Sequence, residues 1–143
     1  MSCLNRPFDD QTQPRIRLES EAVTIILESI EAGQCEHVAS QMARVEIAAT
    51  SDSVRRNRVL QLLPEAIYEV TPEMLREAKA LTDAGLGAAD AVHVAAAKAL
   101  NADVFLTCDD RLIRRCRALG DRCPVRIENP VRWVEEVDRD TNA

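Results

Sequence analysis

Between Gly87 and Leu112 the chain reads Gly87-Ala-Ala-Asp90-Ala-Val-His93-Val-Ala-Ala-Ala and then, a few residues on, Val104-Phe-Leu-Thr107-Cys-Asp109-Asp110-Arg-Leu. No other stretch narrows the possible folds so far. An alanine-rich helix has little side-chain bulk, so it can lie close against whatever it packs on. The continuous apolar centre of Asp103–Thr107 predicts a strand buried on both faces, as in a parallel sheet. In such sheets ligands gather at the carboxyl ends of the strands, and Asp109 lies just past one such end. Asp90 falls in the first turn of its helix, where free backbone N–H groups and the helix dipole favour an ionised carboxylate.

The rest of the chain supports the same architecture. Apolar positions at Leu18, Ala22, Ile25, Ile26 and Ile30 predict an amphipathic helix over Arg15–Ala32, stopped by Gly33. A short strand over Glu36–Ala39 leads to Ser40, an N-cap for a helix to about Ala49. Ser51 or Asp52 caps a further helix to Leu63, and Ala66–Val70 is strand-like. Thr71-Pro72-Glu73 pairs an N-cap with proline at the first helical position and opens a helix to Asp83. A helix over Ala88–Leu100, the strand at Asp103–Thr107, a helix over Arg111–Leu119, a strand at Val125–Ile127 and a last helix opened by Asn129-Pro130 complete the series. Alternation of this kind predicts an α/β fold, a three-layer α/β/α sandwich on a mostly parallel central sheet. With 143 residues, 46% of them hydrophobic, the chain suits a single domain over residues 1–143.

Composition removes several function classes. No stretch approaches the roughly 18 consecutive apolar residues of a membrane helix, and the amino-terminal residues lack the apolar core of a signal peptide; a cytoplasmic protein is expected. Five cysteines, an odd number without a CxxC spacing and with only two histidines beside them, suggest reduced thiols rather than a zinc site or a disulfide framework. Lysine occurs only at Lys79 and Lys98, so sixteen of the 18 basic residues are arginine. Arginine's planar fork suits phosphate and carboxylate alike. The net charge of −6 nevertheless speaks against nonspecific nucleic-acid binding. Nothing resembles a Ser-His-Asp arrangement, a P-loop or an HExxH motif.

The chemistry then falls to carboxylates. Asp90 and Asp109 are the first two, and Glu46, at the rim of the helix face formed by Met42, Val45 and Ala49, can lean toward the same cleft. Each also has a plain reading: Asp90 as a first-turn acid, Asp109 or Asp110 as the cap of the next helix, Glu46 as a surface residue.

The two segments quoted above resemble the carboxy-terminal acidic motifs of PIN domains, the family that includes VapC-like toxins. Ser40…Glu46-Ile47 resembles the family's middle acidic motif, Asn129-Pro130-Val131 its closing strand-to-helix turn, and Cys3-Leu-Asn-Arg-Pro-Phe-Asp-Asp-Gln11 the amino-terminal stretch of one subgroup. The resemblance implies a metal-dependent endoribonuclease, the toxin of a toxin–antitoxin pair, with Glu46, Asp90 and Asp109 holding Mg²⁺ or Mn²⁺ and metal-activated water hydrolysing RNA. Thr107 and His93 would support them, and Arg6, Arg15, Arg44 and Arg111 would guide phosphates. A protein antitoxin and a homodimer are the implied partners. One departure stands out: the family's first strand, ending in an acid, is missing before Met1, so the native protein is expected to carry further residues upstream. Two other readings remain: a catalytically impaired PIN-derived interaction module, and a different metal-dependent phosphohydrolase.

Overall fold

Two pairs of short parallel strands frame the computed structural model, which describes residues 2–142. The elements follow in the order α1 (Ser2–Asn5), a 3₁₀ turn (Arg6–Phe8), α2 (Pro14–Glu31), β1 (Ala39–Ser40), α3 (Gln41–Ala48), α4 (Ser53–Leu60), β2 (Ile67–Tyr68) and α5 (Pro72–Asp83). Then come α6 (Ala88–Ala99), β3 (Val104–Leu106), α7 (Asp110–Leu119), a second 3₁₀ turn (Gly120–Arg122), β4 (Arg126–Glu128) and α8 (Pro130–Asn142). It is an α/β fold, as the alternation predicts.

Local chemistry explains the helix boundaries. Ser40 Oγ accepts from the Met42 N–H at 3.2 Å, Asp52 from those of Val54 and Arg55 at 3.0 and 3.1 Å, and Thr71 from that of Met74 at 3.2 Å. Each satisfies a donor that the helix leaves free. At the far end of α2, Gly33 takes φ +76°, and the Gly33 and Gln34 N–H groups turn back onto the Ile30 and Ser29 carbonyls. That left-handed reversal is cheap only without a Cβ.

The strands are shorter than the sequence predicts and do not form one sheet. β1 pairs in parallel with β2 (Ala39 opposite Ile67, Ser40 opposite Tyr68), and β3 with β4 (Val104 opposite Arg126, Leu106 opposite Glu128). β1 and β3 each have one neighbour, and their other edges border a cavity of about 520 Å³. Its lining comes from Val38–Ser40 and Val104–Leu106, from Ala96, Ala97 and Leu100 of α6, and from Val23, Ile26, Leu27 and Ile30 of α2. The expectation that Asp103–Thr107 is buried on both faces is corrected here: Val104, Phe105 and Leu106 are only half-buried, because among the described residues no strand pairs with that edge of β3, which borders the cavity.

The main core joins α5, α6, α7 and β4 through Met74, Leu81, Ala91, Val94, Ala95, Leu112, Ile113 and Ile127. A smaller cluster of Leu4, Ile47 and Val59 ties α1 to α3 and α4. In α6 the close approach allowed by alanine is realised: Ala91 and Val94 are fully shielded, and α6 touches β1 and β3 as well as α5. Ala91→Leu is expected to overpack this contact and destabilise the protein by about 1–3 kcal/mol in urea denaturation.

The amphipathic face of α2 is rotated from the one predicted. Ala22 and Val23 are buried together with Glu19, whereas Leu18 and Ile25 are largely exposed. A carboxylate takes a core position because cations surround it: Glu19, 1% exposed, accepts from Arg6 Nε at 3.0 Å, from Arg15 Nε at 3.4 Å and from Asn129 Nδ2 at 2.6 Å. The periodicity of apolar residues carries no sign of such a partner set.

Candidate active site

The carboxyl end of β3 organises the site. Past Leu106, Thr107 turns the backbone: its N–H donates to the Glu128 carbonyl at 3.0 Å, and its Oγ1 accepts from the Asp109 N–H at 3.1 Å. Asp109 then caps α7, its Oδ1 accepting from the N–H groups of Arg111 and Leu112 at 2.9 and 3.4 Å. The plain reading of Asp109 as a cap is therefore correct, and it does not exhaust the residue. The capping bonds use one carboxylate oxygen and Asp109 is exposed, so its second oxygen is not consumed by the cap.

Asp90 comes to the same place from α6. Gly87 opens that helix without a side-chain cap, and Asp90 lies in its first turn. A Cβ on Gly87 would stand 3.7 Å from Asp90 Oδ2, in ordinary contact. Burial pushes the Asp90 carboxyl above the usual carboxylate range, and the negative charges of Asp109 and Glu46 push it further. Asp90 on α6 thus lies within the field of two other carboxylates, from α3 and from the start of α7, an arrangement that costs free energy when all are ionised.

Glu46 is the least committed of the three. Its Oε2 stands 2.9 Å from His93 Nε2, and this imidazole holds the Glu46 carboxyl below its ordinary value. The contact is bent: His93 Nε2 is buried and makes no aligned hydrogen bond among the described residues. The His93 ring lies tilted against Phe105 of β3, with centroids 6.1 Å apart. His93 therefore acts on Glu46 from a packed position between α6 and β3.

Hard oxygen donors with excess negative charge fit a small divalent cation, which binds through one or two carboxylates and keeps several waters. Asp90 and Asp109 suit that role. Among the described residues no three His, Cys, Asp or Glu side chains stand close enough to cage a metal ion. Glu46 is turned toward His93, so the site offers a carboxylate pair with a third acid beside it.

The arginines divide into two groups. Arg6 pairs with Asp9 at 2.9 Å and with Glu19, and Arg15 binds Asp110 through two bonds of 2.6 and 2.7 Å and also reaches Glu19. Both are engaged within the protein. Arg44 on α3 and Arg111 in the first turn of α7 are exposed and form no ion pair among the described residues. The residues that sequence reasoning missed are Glu19, Asp110 and Asn129. They position Arg15 beside the strand end; Asn129, before Pro130, and Asp110, a candidate cap, had local signals, and Glu19 had none.

No helix is long and apolar enough to cross a membrane. The family model of the PIN domain matches residues 8–118, a span that includes Glu46, Asp90 and Asp109. No curated protein and no solved structure matches the chain.

Proposed function

Because this chain belongs to the PIN domain family, a nuclease-type fold usually served by divalent metals, we propose that it is a Mg²⁺- or Mn²⁺-dependent endoribonuclease acting as the toxin of a toxin–antitoxin pair. The observation that carries this reading is the placement of Asp90, partly buried, within the field of the Asp109 and Glu46 charges, which with its burial raises its carboxyl above the usual range. A bound divalent ion supplies a water of lowered pKa and offsets charge on the scissile phosphate.

The protein's own groups do the rest. Asp90 and the carboxylate oxygen of Asp109 not used in capping would hold the ion. Thr107 keeps the Asp109 backbone in register, and His93 sets the direction of Glu46. Arg44 and Arg111, exposed and unpaired with acids, receive the phosphates flanking the cut, while Arg6 and Arg15 keep the amino-terminal segment and the start of α7 in place. A protein antitoxin and a homodimer partner follow from the family likeness alone.

Ser2 Oγ accepts from the Cys108 N–H at 2.9 Å, which sets α1 against the carboxyl end of β3 beside Asp109.

Incubation of the protein with RNA in Mg²⁺, and again in EDTA, tests the whole. Cleavage that EDTA abolishes is the expected result. Turnover of small phosphate esters alone would transfer the assignment to a phosphohydrolase. Absence of any turnover would leave an interaction module.

A further inference from the structure

Two cysteines outside the acidic site face each other across the fold. Cys3 of α1 and Cys108, directly after β3, are 105 positions apart in sequence, and their Sγ atoms stand 3.9 Å apart. The backbone on both sides is held. Ser2 Oγ takes the Cys108 N–H and lies 3.4 Å from Thr107 Oγ1, Leu4 is buried in the smaller core cluster, and Arg6 is bound to Glu19. The sulfurs are thus presented to each other by segments already docked. Cys108 is buried and Cys3 is partly exposed, which leaves a small oxidant one side of the pair to approach.

We propose that Cys3 and Cys108 form a reversible disulfide on exposure to peroxide, a redox latch that pins α1 to the end of β3. Bond formation closes the sulfur separation from 3.9 Å to about 2.05 Å. Attack of one thiol on hydrogen peroxide breaks the O–O bond, giving a sulfenic acid and one water. The second thiol displaces the hydroxyl as another water and forms the S–S bond. The two sulfurs together lose two electrons and two protons, and the peroxide is reduced to two waters. A dithiol reverses the bond by exchange. Thr107 and Asp109 flank Cys108, so the latch constrains the same backbone that presents Asp109. It stands on the sulfur geometry and does not depend on the nuclease reading.

The test is brief treatment of the reduced protein with hydrogen peroxide, followed by intact mass, peptide mapping and thermal unfolding. The expected result is loss of the mass of two hydrogens, a cross-link joining the Cys3 and Cys108 peptides, and a thermal midpoint raised by several degrees. A link closing so long a loop restricts the unfolded chain strongly. Dithiothreitol should reverse all three changes, and Cys108→Ser should prevent them. Cys3→Ala, at the partly exposed partner, provides the same check if Cys108→Ser folds poorly. The proposal is overturned if peroxide removes no hydrogens, if the cross-link joins Cys116 to Cys123 instead, or if only intermolecular bonds through the exposed Cys35 form.

Discussion

Asp90→Asn is expected to abolish Mg²⁺-dependent RNA cleavage and, in the same protein without metal, to raise the thermal midpoint. Both effects come from one cause. The Asp90 carboxylate is partly buried and faces the charges of Asp109 and Glu46, which together disfavour its ionised form. Without a cation the fold bears that repulsion. Replacement by asparagine keeps the shape and removes the charge, so the metal-free protein gains stability. On the proposed function the cation would lose a ligand at the same time, and losing several kcal/mol of charge stabilisation corresponds to a fall in rate of roughly 10²-fold or more. Asp109→Asn should match the loss of activity. Asparagine caps helices about as well as aspartate, so α7 should keep its start and any stability change should be small. Thermal scans with and without Mg²⁺, beside an RNA assay, check both variants. A metal-free Asp90→Asn protein that melts well below the wild type would show that the carboxylate stabilises the fold, contrary to the strained site described above.

Glu19→Ala is expected to cost the protein about 3–5 kcal/mol, the usual penalty for breaking a buried ion pair from one side. Domains of this kind hold about 5–15 kcal/mol in total, so the variant should be close to unfolding at room temperature. Glu19 is where the amino-terminal turn, α2 and the start of α8 meet: Arg6, Arg15 and Asn129 all donate to its two oxygens. Removal leaves the Arg6 guanidinium, itself largely buried, with Asp9 as its only carboxylate partner among the described residues. Arg15→Ala makes the informative contrast. That side chain is 55% exposed, and exposed pairs contribute only about 0–1 kcal/mol. Urea denaturation of the two variants should differ by several-fold in lost stability. Equal and small losses would mean that the network is ornamental.

The helices were legible because their signals are local. Ser40, Asp52 and Thr71 cap where the sequence places them, Gly33 stops α2, and Pro72 and Pro130 open their helices at the predicted residues. A cap bonds to an N–H two or three residues away, so nothing beyond a turn of chain is needed to recognise it. The strands were less legible. The strand predicted at Glu36–Ala39 is displaced to Ala39–Ser40 and Ala66–Val70 shrinks to Ile67–Tyr68, because strand extent depends on the neighbour that supplies hydrogen bonds, and among the described residues β1 has one only on the β2 side.

The amino-acid sequence by itself determined the order of the helices from α2 onward and most of their starts, the α/β class, and the placement of Asp90 in a first turn and Asp109 past a strand end. Those properties follow from side-chain interactions with nearby backbone. Sequence reasoning missed α1 and carried α4 three residues too far, to Leu63. Only the tertiary structure decided that the sheet divides between β1 and β3, that Glu19 lies in the interior while Leu18 faces water, that Glu46 turns to His93, and that Arg6 and Arg15 are occupied while Arg44 and Arg111 are not. Each of these depends on charges and edges brought together from distant parts of the chain, and the electrostatic energy of such a meeting is set by separation in space, which spacing along the sequence does not encode.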